Sequence, residues 1–419
     1  MTIPAAARPI LLLAAIAALA INLRAPIVAV GPLADTIRTE LNLSGSAIGL
    51  VAAMPVLVFA LCSAFAAPLA RRAGLENILL ITTLLLILGV GLRSAIPSLT
   101  TLLAGTAIMS VGIAMANVLL PALIKRSLPD RSSLAIGLMS AVMTISSALS
   151  TAMAVPVAQW HGWRWSLGVW LLTALLALAI WWPLRRPWPA SSPQGTPSPE
   201  TAAASAVPGA LNVWRSPAAW VISLTMGLQS LAYYVVASFM PAVLVEKGLS
   251  AVAAGHYISL FQGSSLIGAL LTSALFGRLQ HYRQPLSAAS SAMLVLGALG
   301  AWQGSLQTMW LWIVLLGNGT AAIFSLCMLL FAERTDDPQQ AVALSGMAQA
   351  VGYTIAMLGP LGSGILYDLF VSWTDSLAFL VVLMAIECIL AWSAASPLTL
   401  AQAQARRNHH TSADIPAGS

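Results

Sequence analysis

Apolar runs of about twenty residues recur with hardly a gap from residue 10 to residue 396, and few folds are open to such a chain. Within hydrocarbon every backbone N–H and C=O must be paired inside the protein, so only helices and closed barrels cross a bilayer. A helix needs roughly 20 mainly apolar residues to do so. Composition agrees: 59% of the 419 residues are hydrophobic and 8% are charged, with a mean hydropathy of +0.87. Soluble domains carry about a quarter charged residues. Only residues 185–215 and the tail after about residue 397 are polar over any length, which leaves no room for a soluble catalytic domain.

Charged and Pro/Gly-rich breaks divide the apolar sequence into spans near 10–33, 45–67, 75–96, 100–124, 133–158 and 166–184. A second set follows near 216–240, 252–275, 286–304, 307–331, 341–365 and 376–396. The fold class is therefore an all-α membrane protein of twelve transmembrane helices. The residues before the first run (Met1 to Pro9) are too short for a separate export signal, and the run itself is too long for one. The basic residues test the orientation. With the N-terminus inside, cytoplasmic segments hold Arg8, Arg71, Arg72, Lys125, Arg126, Arg131, Arg185, Arg186, Arg215, Arg278, Arg283, Arg334, Arg406 and Arg407. The outer side holds Arg38, Arg93, Arg164 and Lys247. Fourteen against four, with Arg24 left in the membrane, favours both termini in the cytoplasm. Trp160, Trp163 and Trp165 crowd one predicted interface and Trp181, Trp182 and Trp188 the other, where amphipathic rings belong.

Residues 185–215, rich in Pro, Ala and Ser, read as a flexible cytoplasmic linker. They divide the chain into a bundle over 1–184, a second bundle over 216–396 and a cytoplasmic tail over 397–419. Each half has a charged break after its fourth span. An offset of 208 pairs Lys125 with Glu333, Arg126 with Arg334 and Met139 with Met347. Two parallel six-helix repeats around a midplane site account for that pattern. Cys62, Cys327 and Cys388, an odd number placed inside apolar runs, argue against a disulfide framework and read as small core residues.

Three stretches carry a family resemblance. "NLRAPIVAVGPL" in span 1, "LLPALIKRSLPDRSSLAIGLMSAV" across spans 4 and 5, and "WHGWRWSLGVW" entering span 6 resemble the cyanate and 2-nitroimidazole permeases of the major facilitator superfamily. The motifs cover most of the first half, whereas the second half matches only in its pattern of spans. Two superfamily signatures are altered. The loop after span 2, usually G-x-x-x-D-R-x-G-R-R, reads "APLARRAGLE", with Arg71 in place of the Asp. The drug/proton antiporter signature G-x-x-x-G-P-x-x-G-G is missing from span 5, while a related "LGPLGSG" (358–364) lies in span 11. The resemblance implies two six-helix bundles that alternate access to a central cavity, and a small anionic or nitro-bearing solute.

Arg24 is the residue most out of place. It lies some 14 residues into span 1, which at about 1.5 Å per residue is roughly 21 Å from the inner face. Charge at that depth is costly and usually faces a cavity. A guanidinium there suits bidentate donation to a small anion or a nitro group; a structural ion pair is the alternative. Pro26 is expected to break or bend span 1 just beyond Arg24. Asn22 points about 200° away from Arg24 on an ideal helix, between a pocket role and a helix–helix hydrogen bond. In the second half, Gln229 and Tyr233 share a face of span 7 with Tyr234 beside them, and Gln349 and Tyr353 share one on span 11. The offset of 208 sets Tyr233 opposite Ala25, so these groups are candidates for the far wall of a site. Asn117, Gln262 and Asn318 are mid-membrane amides that could join it. Glu387 is the only acid deep within a predicted span, and with His256 it is a candidate for carrying a coupling proton. Asp368, at the end of span 11, reads as a solvated loop acid.

No G-x-x-x-x-G-K-[ST] loop, H-E-x-x-H or C-x-x-C occurs, so neither ATP hydrolysis nor a metal or redox centre is indicated. No acid–base or nucleophile set can be assembled, which argues against an enzyme, and no cofactor is expected. The expected partners are a small-molecule solute, the lipid bilayer and a candidate coupling proton, with no nucleic acid, for a monomer in a bacterial inner membrane. The competing expectation is efflux of neutral or cationic drugs, which a neutralised Arg24 would permit. A non-transporting sensor would need a structured cytoplasmic domain, and 185–215 does not resemble one.

Overall fold

Pro26 shapes span 1, and it acts upstream of itself. A proline lacks the N–H that would bond the carbonyl four residues earlier, and its ring clashes with that carbonyl. That residue is Asn22, and the first helix (Arg8–Asn22) ends there. Leu23 and Arg24 form a turn; a short helix, Ala25–Val28, carries Pro26 in its first turn; Gly31–Leu33 is a 3-10 turn, and Ala34–Glu40 completes the span. The expected break just beyond Arg24 is thus corrected: Arg24 stands in the break.

The structure is a computed structural model and describes residues 8–128, 132–185, 213–278, 280–335, 338–397 and 402. Most of the linker expected at 185–215, including Trp188, and most of the tail lie outside the described residues. The other spans are Gly45–Ala73 (span 2), Leu75–Ala95 (3), Leu99–Ser127 (4), Ser132–His161 (5), Trp163–Trp181 with a small break at Val169 (6), Pro217–Glu246 (7), Ala251–Arg278 (8), Arg283–Gln303 (9), Met309–Glu333 (10), Pro338–Phe370 (11) and Asp375–Ala394 (12). Among the described residues, eleven of the twelve are long and apolar enough to cross a membrane; span 8 completes the set. Several helices overrun the predicted spans because a helix does not stop where hydrocarbon does. Tight glycine turns join some of them, as at Gly74 and Gly162, each with φ of +84°, where a side chain would be strained.

Spans 3 and 4 pack closely, as do 7 with 11, 8 with 10, and 9 with 10 and 12. Spans 2 with 11 and 5 with 8 bring the first six helices against the last six. Small residues allow this, since helices without a hydrophobic drive to associate rely on close van der Waals contact. At the face where span 1 begins and span 12 ends (the terminal face), the repeat shows as matching ion pairs of reversed sign. Arg126 at the end of span 4 meets Glu76 at the start of span 3, and Arg283 at the start of span 9 meets Glu333 at the end of span 10, at 2.9 Å. Arg334, the repeat partner of Arg126, is buried and donates to Ala394 O and Ser396 O at 3.0 and 2.6 Å. Burial and the neighbouring Arg283 hold its pKa below the usual arginine range.

The tryptophan belts are less uniform than expected. Trp160 and Trp165 are exposed, but Trp163 and Trp181 are core residues, and Trp181 Nε1 donates to Glu76 O at 3.3 Å. Cys62, Cys327 and Cys388 are free thiols.

Candidate functional site

Arg24 sits in the span 1 break as the N-cap of the short helix, with φ −129° and ψ −44°, where Ile27 N and Val28 N bond its carbonyl at 3.0 and 3.1 Å. Its half-buried guanidinium lies 5.1 Å from the centroid of the Tyr233 ring on span 7. A cation over an aromatic face is attracted by the ring quadrupole. Tyr234 and Tyr353 are within electrostatic reach of the same guanidinium. No ion pair joins Arg24 to a carboxylate among the described residues.

The tyrosines expected at the far wall form an aromatic cluster. Tyr233 meets Tyr234 edge-on at 5.2 Å and Phe261 at 5.7 Å, while Tyr353 meets Phe59 of span 2 at 6.1 Å. The Tyr233 hydroxyl and the buried Gln262 amide lie 3.2–3.3 Å apart, so Gln262 joins this group. Other candidates are turned elsewhere. Asn22 is fully buried, donates to Ala18 O at 2.9 Å and accepts from Thr173 Oγ1 of span 6 at 2.8 Å, which sets it in a helix–helix contact. Gln229 is buried and accepts from Ser230 Oγ at 3.1 Å. Gln349 and Asn318 donate within their own helices, to Ser345 Oγ at 3.0 Å and Val314 O at 2.9 Å. Asn117 is half-buried on span 4, and His256 is exposed near the start of span 8. Glu387 is fully buried within the second half, near Cys327 of span 10 and the Ser291 hydroxyl of span 9.

Arg93 went unrecognised as an interior residue. It lies inside the predicted span 75–96 yet was counted with the outer loops; the structure buries it completely. Its Nη1 donates to Pro26 O at 2.9 Å and its Nη2 reaches Leu167 O at 3.5 Å. Ser150 Oγ of span 5 donates to Ala25 O at 2.7 Å. Two carbonyls just beyond the break, Pro26 O and Ala25 O, are thus bonded by side chains from spans 3 and 5, in keeping with the need to pair backbone groups inside a membrane. The one signal in the sequence was that Arg93 falls inside the predicted span 75–96 rather than in the loop after it.

The contacts closing the site lie toward the face opposite the termini (the distal face). A Cβ at Gly31 would stand 2.1 Å from Ala237 O, so spans 1 and 7 touch backbone to backbone. Spans 2 and 11 meet at Gly45, Gly49, Pro360 and Gly364, which gives "LGPLGSG" its place in the fold. Asp368 is exposed but not merely solvated: it accepts from Gly45 N at 2.5 Å and Ser46 N at 2.8 Å, capping span 2. Arg38 lies 4.8 Å over the Tyr367 ring, and Thr151 and Ser259 join spans 5 and 8 at 3.0 Å. Such an arrangement can hold a small solute by one forked cation and several phenol rings, with the distal side shut.

The sequence profile of the Major Facilitator Superfamily matches residues 10–357. The 2-nitroimidazole transporter of Escherichia coli (strain K12) is 37% identical over 381 residues, 90% of this chain and 94% of that protein. The cyanate transport protein of the same organism is 29% identical over 361 residues, 86% of this chain and 90% of that one. Among solved structures, a bacterial homolog of the human lysosomal transporter Spinster, inward-facing and unoccupied, superposes with a TM-score of 0.77 at 17% identity, covering 94% of this chain and 98% of that one.

Proposed function

This chain belongs to the major facilitator superfamily and is a multi-pass membrane transporter rather than an enzyme, and we propose that its cargo is a small anionic or nitro-bearing solute, cyanate- or 2-nitroimidazole-like, held by Arg24. One observation carries the reading: a guanidinium within span 1, seated in a helix break and backed by phenol rings, has no carboxylate paired with it among the described residues. An unpaired cation repels cationic drugs and attracts an anion or the oxygens of a nitro group. The two Escherichia coli relatives, a 2-nitroimidazole transporter and a cyanate transport protein, point the same way. Transport is secondary and runs by alternating access, with the two sets of six helices rocking about the site. The distal seal supports that reading, and the basic-residue asymmetry supports termini on the cytoplasmic side of the inner membrane.

The test is a thermal-shift and uptake panel of cyanate, nitrate, small carboxylates, nitroimidazoles and cationic dyes on the purified protein. A ligand of the native state raises Tm by mass action. Charge-assisted hydrogen bonds contribute about 1.5–3 kcal/mol, so Arg24→Ala should weaken the stabilising anion or nitro compound by roughly 10- to 150-fold, with Arg24→Lys recovering part. Equal stabilisation by cationic dyes in both proteins would make Arg24 structural and favour drug efflux.

A further inference from the structure

Arg93 has a feature that its role in the span 1 break does not use. Two of its donors meet backbone carbonyls, but its Nε–H has no partner in the protein, although the residue is 0% exposed. No ion pair joins Arg93 to a carboxylate among the described residues. It lines a small cavity of about 20 Å³ together with Thr106 of span 4 and with Tyr234 and Ser238 of span 7. Thr106 is also buried, and its hydroxyl likewise has no hydrogen-bonding partner in the protein. The two residues that carry these unpaired donors, one of them a full positive charge, thus border one space. Buried charges require a counter-charge, and buried donors require acceptors.

The geometry points to an anion site here: one small monovalent inorganic anion, bound between Arg93 and Thr106. A single water occupies at least about 10–15 Å³, so a cavity of about 20 Å³ has room for a halide-sized ion and not for an organic acid. The anion would accept from the Arg93 guanidinium and the Thr106 hydroxyl and would neutralise the charge that holds Pro26 O. Its source is either halide from the medium or the transported anion itself, and the experiment separates the two.

The full-length protein is melted in chloride or bromide and in methanesulfonate, with bromide located by anomalous scattering. The expected result is a halide-dependent rise in Tm, with bromide beside Arg93. Thr106→Val keeps the shape and the Arg93 clamps but removes one donor, and should weaken the halide response roughly 5- to 10-fold. Arg93→Gln should abolish it; where that variant fails to fold, Thr106→Val carries the test. Arg24→Ala should leave the halide response intact, which keeps this site distinct from the proposed solute site. Stabilisation by halide alone makes the anion a resident counter-ion. Competition by cyanate or nitrate, with the same dependence on Thr106, makes the site a stop on the transport path. A melting point indifferent to halide, or a halide response unchanged in Thr106→Val, overturns the proposal and leaves Arg93 as a backbone clamp only.

Discussion

A methyl group at Gly364 should prise open the distal seal. The Cβ added there would lie 2.3 Å from Gly45 O and 3.1 Å from Gly49 Cα. Both are backbone atoms and cannot swing aside, so spans 2 and 11 must part by about 1 Å to restore an ordinary contact. Overpacking of this kind costs about 1–3 kcal/mol. Since the contact joins the two sets of six helices, the cost falls on the state in which they touch at the distal face. By the usual conversion the closed-to-open ratio falls roughly 5- to 150-fold. Gly362→Ala is the internal control, because a Cβ there has nothing within 4 Å. The readout is labelling of Ser238→Cys by an impermeant maleimide, in a background without Cys62, Cys327 and Cys388. Ser238 lines the cavity beneath the seal, so Gly364→Ala should accelerate labelling from the distal side and Gly362→Ala should not. If Gly364→Ala lowers Tm while labelling stays at the control rate, the contact persists through every state. The seal would then be static packing rather than a gate.

Asp368→Asn removes the charge from two hydrogen bonds at the start of span 2; an exposed cap of this kind contributes about 1 kcal/mol, so labelling of Ser238→Cys should rise several-fold. Combined with Gly364→Ala the effect should be less than additive, since both changes act on Gly45. Pro26→Ala restores the N–H that Asn22 O lacks and should extend the first helix through Arg24; solute affinity should fall sharply while Tm holds or rises, and unchanged affinity would show that the break does not position Arg24. Glu387→Gln should leave solute binding intact, because Glu387 packs within the second half beside span 10. Loss of the response to a pH gradient alone in that variant would make Glu387 the coupling carboxylate.

The spans were legible because hydrocarbon imposes one rule on all of them, the pairing of every backbone group within a helix. Arg24 was legible for the same reason: a charge is conspicuous where the solvent excludes it. Arg93 was not, since three residues from a span's end a charge reads equally well as an anchor in the headgroups. Only the approach of Pro26 and Leu167 shows that this end of span 3 is roofed by other helices. Asp368 was misread for the complementary reason: its partners are backbone amides more than 300 residues away, which side-chain chemistry does not announce. Asn22 shows the limit of helical-wheel reasoning. The turn at Leu23 and Arg24 frees the two residues from a common wheel, and Asn22 then follows the intact helix toward Thr173.

The bonds around the break also say which parts move together. Arg93 and Ser150 tie Pro26 and Ala25 to spans 3 and 5, so the segment next to Arg24 is fastened to the first six helices. Tyr233, Gln262 and Tyr353 belong to the last six. The 5.1 Å approach of Arg24 to Tyr233 therefore crosses between the two sets. A rocking motion that opens the distal side must change this distance more than any distance within either set. A solute held by both would resist that change, whereas one held by Arg24 alone would not. On the proposed reading the aromatic wall would then be as important as the cation: it would let a bound solute alter the balance between the two states, which a ligand can do only through unequal affinity for them.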